Sequence, residues 1–209
     1  YTLHIYDLSD ATVKSYSYNG SEKDLVSFEK CKSDYSVAGS GAETAFSSGT
    51  AFFIDKKGHL LTNNHVVDGC QSINVHYKGN AVPLSVIVVD SDNDLALLKG
   101  DFKPRSFYPL SRKTPELLMD IYVAGYPFGQ DMSTSVKVTQ GIVSSLTGIA
   151  NNFSNLQISA ALQPGNSGGP IMNDKGNVIG VAVAKLDLEK IVDDYGVVPE
   201  NVNFGVKSN

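Results

Sequence analysis

The stretch Gln163-Pro164-Gly165-Asn166-Ser167-Gly168-Gly169-Pro170 carries the strongest signal in this sequence. Its serine lies among glycines, which is typical of a nucleophile on a tight loop. Glycine has no Cβ and adopts positive φ angles, so such a loop can approach a substrate carbonyl and point its N–H groups at it. The stretch therefore predicts a hydrolytic site at Ser167.

Two different hydrolase architectures fit this loop. Residues 165–169 match the Gly-x-Ser-x-Gly nucleophile elbow of α/β-hydrolases, in which the catalytic histidine follows the serine along the chain. All histidines of this sequence precede Ser167: His4, His59, His65 and His76. Histidine order therefore excludes the elbow and favours an arrangement in which the base comes first.

Two upstream segments offer a general base and a carboxylate to orient it: Thr62-Asn63-Asn64-His65-Val66-Val67 and Asn93-Asp94-Leu95-Ala96-Leu97-Leu98. Each has a plain structural alternative, a buried histidine for His65 and a turn-capping aspartate for Asp94. Asp90 and Asp92 compete for the carboxylate role. Asp94 is preferred because it abuts an apolar strand, where it can be buried against an imidazole. In one consistent order, His65, Asp94 and Ser167 predict a catalytic triad.

Composition limits the other functions. The 209 residues are 42% hydrophobic and 19% charged, which is ordinary for a globular protein, and the length suits two packed β-barrels. A net charge of −5 without a basic run argues against nucleic acid as a partner. No apolar stretch approaches the roughly 18 residues that span a bilayer. The chain begins at Tyr1 without a leader, so we expect a mature or trimmed form.

The only two cysteines are Cys31 and Cys70. They can form one bridge in an oxidising compartment or remain two free thiols, and the sequence leaves both open. Neither has a second Cys or a His at metal-ligand spacing, so a zinc site is not expected.

The chain divides into a polar segment and a β-rich remainder. Residues 1–45 are expected to form an N-terminal extension with one helix-compatible stretch over residues 22–31. From Ser47 onward, short runs rich in Val, Ile, Thr, Phe and Tyr alternate with turn residues, which predicts an all-β protein. A polar connector over residues 111–116 divides the strands into two groups, consistent with two antiparallel barrels at about 46–110 and 117–209.

These segments resemble the trypsin-like serine proteases, specifically the HtrA/Deg type. The resemblance covers roughly residues 47–209 and includes, besides the three catalytic segments, Ser48-Gly49-Thr50-Ala51-Phe52-Phe53-Ile54, Ala124-Gly125-Tyr126-Pro127-Phe128-Gly129, Gln140-Gly141-Ile142-Val143-Ser144-Ser145 and Asn203-Phe204-Gly205-Val206. It implies a chymotrypsin-like fold of two six-stranded antiparallel barrels. It also implies a serine endopeptidase that uses neither a metal nor an organic cofactor.

The resemblance assigns roles by position. Ser167 is the nucleophile, His65 the general base and acid, and Asp94 the group that fixes the imidazole. The oxyanion hole falls on residues 165–167, that is Gly165, Asn166 and Ser167, with the N–H groups of Gly165 and Ser167 as donors.

The implied wall of the primary substrate pocket consists of Leu162, Val183, Ala184 and Val202, with Ala161 at its base. Because no carboxylate falls there, we expect cleavage after small or medium aliphatic residues rather than after Lys or Arg.

Asn166 departs from the trypsin pattern, in which an Asp before the nucleophile pairs with a new N-terminus. An amide cannot form that ion pair, so activity is not expected to depend on N-terminal insertion. The chain also stops at Asn209 without the PDZ domain that usually follows in HtrA-type proteases, which leaves the family's trimeric assembly open.

Expected partners are protein or peptide substrates, and the resemblance implies an extracytoplasmic, periplasmic or secreted bacterial location. The alternative function is a catalytically silent, chaperone-like pseudoprotease that holds peptides on a sheet edge.

Overall fold

The structure of the chain is a computed structural model, and it describes residues 2–7, 12–17, 25–28, 31–32, 46–47, 49–70, 72–77, 80–127, 135–183, 196 and 201–209. These residues form strands Thr2–Asp7 (β1), Thr12–Ser17 (β2), Leu25–Phe28 (β3), Cys31–Lys32 (β4), Phe46–Ser47 (β5), Thr50–Phe53 (β6), His59–Thr62 (β7), Ile73–Tyr77 (β8), Asn80–Asp90 (β9), Leu95–Lys99 (β10), Asp120–Gly125 (β11), Lys137–Ser145 (β12), Asn155–Ile158 (β13), Pro170–Asn173 (β14), Val178–Val183 (β15) and Asn203–Lys207 (β16). They also form a short helix, Asn64–Val67 (α1), and a 3₁₀ turn, Ile149–Asn151.

The first large sheet has the antiparallel order β10-β7-β6-β3-β8-β9, and β9 pairs again with β10. The long strand β9 makes this return possible, because residues 80–84 pair with β8 and residues 85–90 pair with β10. Period-two alternation sends Leu60, Ala96 and Leu98 inward, where they are fully buried. Phe53 packs edge-on against Phe102 with ring centroids 5.1 Å apart, which closes the core of this sheet.

Strand β3 lies inside the segment expected to be an extension. Leu25–Phe28 pairs with β6 and, through Ser27 and Phe28, with β8. The helix-compatible stretch over residues 22–31 is not helical at the described residues 25–28, which are extended, and Leu25 is buried. The sheet edges of β6 and β8 offer backbone partners and a core contact that outweigh local helix propensity.

The second large sheet has the antiparallel order β11-β12-β13-β16-β15-β14, and β14 pairs back to β11. Inward side chains from all parts of this sheet form one apolar core, which includes Ile121, Val143, Leu156, Ile158, Ile171 and Ile179. The all-β class and the chymotrypsin-like architecture predicted from the sequence are confirmed.

A third apolar cluster joins the two sheets. Phe52 of β6 packs edge-on against Tyr108, with ring centroids 5.7 Å apart, in a cluster that also contains Met172 and Val178 of the second sheet. The chain between β10 and β11 links both sheets as well: the Tyr108 N–H donates to the Phe53 carbonyl, and the Ser111 N–H donates to the Val178 carbonyl. The packed interface between the sheets is the base on which the candidate site rests.

Candidate active site

His65 lies on the single turn of α1, directly after β7. Val66 and Val67 of this turn are buried in the first core, while the His65 side chain is 24% exposed. The turn is also fixed at its far end, because Cys70 takes part in a disulfide. The helix thus anchors its apolar side in the core and leaves the imidazole beside the sheet interface.

Asp94 binds His65 through two hydrogen bonds, one to the backbone and one to the imidazole. Its Oδ1 accepts the His65 backbone N–H at 2.8 Å, and its Oδ2 lies 2.6 Å from His65 Nδ1. With Nδ1 as the donor, Nε2 carries the lone pair that a general base needs. Asp94 adopts a left-handed φ of 55°, and the fully buried Asn63 donates its Nδ2–H to the Asp94 carbonyl at 2.9 Å.

Asp90 and Asp92, the two other candidates for the carboxylate, lie at the turn between β9 and β10. Asp90 accepts hydrogen bonds from the backbone N–H and the side-chain amide of Asn93 at 3.0 and 2.8 Å. These two bonds hold the pKa of the Asp90 carboxyl below its ordinary value. Asp90 therefore closes the turn before β10, and Asp92 is exposed in the same turn. Of the three carboxylates, Asp94 is the one that contacts His65.

The Ser167 loop connects β13 to β14, and its residues 165–169 are buried. Ser167 is 4% exposed, and Gly165 and Gly168 have φ angles of 97° and 84°, in the region that favours glycine. The Asn166 N–H donates to the Gln163 carbonyl at 2.9 Å, whereas the Gly168 N–H donates to the Ala182 carbonyl at 2.9 Å. The Asn166 N–H is thus already committed within the turn, so it is not available as an oxyanion donor.

The loop packs directly against the segment that carries His65. A Cβ added to Gly168 would lie 2.2 Å from both the Thr50 carbonyl oxygen and Thr62 Oγ1, and 3.1 Å from the Asn63 nitrogen. A Cβ added to Gly49 would lie 2.5 Å from Val66 Cγ1 and 3.3 Å from the Ser167 carbonyl oxygen. The structure therefore brings together the three segments that the sequence singled out.

Asn166 is buried between the sheets. A Cβ added to Gly125 would lie 2.7 Å from Asn166 Oδ1, so the amide packs against the end of β11. A neutral amide tolerates this environment better than a carboxylate without a cationic partner.

Three of the four predicted residues of the pocket wall lie among the described residues. Leu162 is partly buried against the second core, Val183 ends β15, and Val202 immediately precedes β16. Ala161 is exposed, and its carbonyl accepts the Thr139 hydroxyl at 2.9 Å. Ala184 lies outside the described residues.

Two residues of the site were missed in the sequence. Thr50 and Asn63 are fully buried and hydrogen-bond to the Ser167 loop and to Asp94, respectively. Both lie inside segments that carry the family resemblance, but their contacts span 115 and 31 positions of sequence and leave no local signal. Within the described part of the chain, no three His, Cys, Asp or Glu side chains lie together as metal ligands. Among those same residues, no helix has the length and apolar character that a bilayer crossing needs.

Comparison with known proteins adds the family. The family model described as a trypsin-like peptidase domain matches residues 49–181, which include His65, Asp94 and Ser167. The chain belongs to the trypsin-like peptidase family. Its relatives place it with the HtrA-type proteases, as the sequence predicted.

Two relatives and one solved structure show the extent of the similarity. The chain is similar to the protein y4bJ of Sinorhizobium fredii, at 42% identity over 78% of this chain and 26% of that protein. It is also similar to the serine protease Do-like HtrA of Bacillus subtilis, at 32% identity over 83% of this chain and 40% of that protein. A solved structure of the HtrA-type protease AlgW with a tripeptide superposes with a TM-score of 0.69 and 25% identity, covering 90% of this chain and 57% of that one. The chain thus spans less than two thirds of each.

The names of further relatives state different cellular locations. DegP-like endoproteases of Chlamydia pneumoniae and Pseudomonas savastanoi are named as periplasmic, and two Do-like proteases of Arabidopsis thaliana as chloroplastic.

Proposed function

We propose that this protein is a serine endopeptidase in which Ser167, His65 and Asp94 form the catalytic triad. The observation that carries the proposal is that two features meet in one place. Asp94 binds the backbone N–H and the Nδ1 of His65, and the glycine loop of Ser167 packs against the segment that carries this histidine. Family membership supports the proposal.

The chemistry follows from these positions. Ser167 Oγ bonds to the scissile carbonyl carbon while His65 Nε2 takes the hydroxyl proton, and Asp94 stabilises the imidazolium that forms. The oxyanion is stabilised by the N–H groups of Gly165 and Ser167, each such donor being worth about 2.7–4 kcal/mol in the transition state. Nε2 then returns the proton to the leaving amine as the C–N bond breaks. Water hydrolyses the acyl-enzyme by the same route.

We propose that the enzyme prefers small or medium aliphatic side chains at the residue before the cleaved bond. Leu162, Val183 and Val202 are apolar, and Ala161 replaces the acidic base that selects Lys or Arg. Each methylene buried there is worth about 0.8 kcal/mol.

A peptide-library cleavage profile tests activity and specificity together. We expect cleavage after residues such as Ala, Val or Leu by the wild type and none by Ser167→Ala. Preferred cleavage after Lys or Arg, with Ser167→Ala inactive, would retain the protease and overturn the pocket. Binding of the peptides without any cleavage would favour the pseudoprotease alternative.

We propose an extracytoplasmic location. The disulfide at Cys70 suits an oxidising compartment, and the periplasmic designation of DegP-like relatives is compatible with it. Thiol labelling of protein taken directly from its host under denaturing conditions tests this, because a reactive Cys70 thiol would contradict it.

We also propose that the catalytic domain consists of two complete barrels, at about 46–110 and 117–209, and that β3, from the segment before residue 46, completes the first barrel. The proposal depends on the two residue pairs that join β3 to β8. Hydrogen exchange checks it: the backbone amides of β3 should exchange as slowly as those of the other strands of the first sheet, and not at the rate of freely exposed backbone.

A further inference from the structure

Thr50 of the first sheet forms hydrogen bonds to the Ser167 loop. It is the first residue of β6 and is fully buried. Its backbone N–H donates to the Ser167 carbonyl at 2.8 Å, and its carbonyl accepts the Thr62 hydroxyl at 2.8 Å. Its Oγ1 lies 2.8 Å from the Gly165 carbonyl oxygen and 3.0 Å from the Tyr126 nitrogen.

The direction of each bond to the hydroxyl is fixed by the partners. The Gly165 carbonyl can only accept, so the single hydroxyl proton of Thr50 points to it. The Tyr126 N–H can only donate, so a lone pair of the same oxygen accepts it. The hydroxyl therefore serves as both donor and acceptor between two buried backbone groups of the second sheet's loops.

The two carbonyls that Thr50 holds belong to the two candidate oxyanion residues. Its backbone N–H binds Ser167 and its side chain binds Gly165, so both ends of the turn 165–167 are tied to one residue. Gly165 has a φ of 97° and no side chain of its own to resist a rotation of its backbone. Without the hydroxyl, the Gly165–Asn166 peptide loses the bond at its carbonyl and keeps the bond from the Asn166 N–H to the Gln163 carbonyl.

We propose that Thr50 is a positioning residue for the oxyanion hole, its hydroxyl fixing the Gly165 backbone so that the Gly165 and Ser167 N–H groups converge on one point. The inference rests on the proposed endopeptidase function. It assigns to the first sheet a direct part in transition-state stabilisation, in addition to carrying His65 and Asp94.

Thr50→Val and Thr50→Ser form a matched pair. Valine keeps the branched shape and the backbone bonds of Thr50 but removes the hydrogen bonds of its hydroxyl to the Gly165 carbonyl and the Tyr126 N–H. Serine keeps the hydroxyl and loses one methyl group. The measurements are kcat and KM on a cleaved peptide, thermal unfolding, and the inhibition constant of a peptide boronate, which forms a tetrahedral adduct with the nucleophile.

For folded Thr50→Val we expect kcat to fall by at least about 10-fold. The loss should be smaller than the 10²–10³-fold that is typical of deleting a donor outright, because the donors remain but are misaligned. KM should stay within about threefold, and the boronate should bind at least about 10-fold more weakly, in parallel with the loss of kcat/KM. Thr50→Ser should remain within about threefold of wild type in all three values. A residue that acts only on stability would shift the unfolding temperature and leave kcat and boronate affinity unchanged.

Folded Thr50→Val with wild-type kcat would overturn the inference while leaving the protease intact. If Thr50→Val does not fold, Thr50→Ala is measured below its unfolding temperature. The same changes in kcat, KM and boronate affinity then support or overturn the inference. A wild type that cleaves nothing and is not labelled at Ser167 by a fluorophosphonate would instead reject the proposed function itself.

Discussion

Two histidine–aspartate pairs of this protein have the same side-chain geometry and different surroundings. In both His65–Asp94 and His59–Asp55, Nδ1 lies 2.6 Å from Oδ2, and the histidine backbone N–H donates to Oδ1, at 2.8 and 3.1 Å respectively. Their exposures are also similar. Asp55 precedes His59 by four residues within one hairpin, whereas Asp94 reaches His65 across 29 residues of sequence.

The difference shows that the pair alone does not define a site. His59–Asp55 closes the turn between β6 and β7, where Asp55 also accepts the Lys57 N–H and Lys99 lies opposite His59 in the register. Segments next to His65 instead contact the Ser167 loop through Gly49 and Gly168. The third element, a nucleophile on a glycine loop, separates a catalytic pair from a structural one.

The largest effect is expected from removing the nucleophile. Ser167→Ala should lower kcat by about 10⁶-fold, because the proton shuttle of His65 then has no oxygen to activate. Peptide cleavage measured over long incubation checks this, with circular dichroism as the control for folding. Cleavage at the wild-type rate would remove Ser167 from the mechanism.

Neutralising one aspartate of each pair separates them directly. Asp94→Asn should lower kcat by about 10⁴-fold, because an amide donor at Nδ1 selects the wrong imidazole tautomer. Asp55→Asn removes the same contact from the other pair and should leave kcat/KM within about twofold. Equal losses in both variants would contradict the distinction between the pairs.

Two glycines with positive φ test the close approach of the loop. Gly168→Ala should abolish activity and destabilise the fold by more than about 1–3 kcal/mol, because the new methyl group meets Thr50 and Thr62 in addition to the backbone strain. Gly176→Ala is the control: its φ is 74°, and nothing lies within 4 Å of the added Cβ. It should cost only the backbone strain of about 1 kcal/mol and keep activity. Thermal unfolding and peptide cleavage report the two effects.

The smallest effect concerns the pH dependence of stability. Partial burial raises the pKa of Asp55, but the hydrogen bonds from His59 and Lys57 outweigh it, so its pKa lies below the ordinary value of 3.8. A carboxylate with a lowered folded pKa stabilises the protein above the ordinary value and loses that contribution as the pH falls through the folded pKa.

Asp55→Asn should therefore lower the unfolding free energy by about 0.2–1 kcal/mol at pH 6, and the difference from wild type should disappear well below pH 3.8. Denaturant unfolding at a series of pH values measures this. A difference that grows toward low pH would contradict the sign.

Much of the fold and the candidate site could be predicted from the sequence. Alternation of apolar and polar residues marks β7 and β10, and the chain order of His65, Asp94 and Ser167 restricts the fold because it excludes the elbow. These signals are local or depend only on order, so they are visible without coordinates.

The remainder depends on contacts between distant residues. The hydroxyl of Thr50 meets the Gly165 carbonyl across 115 positions, and the Asn63 amide meets the Asp94 carbonyl across 31. Leu25–Phe28 has a polar, helix-compatible context and becomes a strand because β6 and β8 accept it as a neighbour. A single sequence carries no local signal for such contacts.

Fluorophosphonate labelling with mass spectrometry most directly tests the central claim. The claim is that the neighbouring Ser167 loop makes His65–Asp94 a catalytic pair, whereas His59–Asp55 is structural. The wild type and His59→Ala should be labelled at Ser167 at equal rates, His65→Ala should be labelled at least about 10²-fold more slowly, and Ser167→Ala should remain unlabelled. An unlabelled, folded wild type, or equal rates in His59→Ala and His65→Ala, would contradict the account.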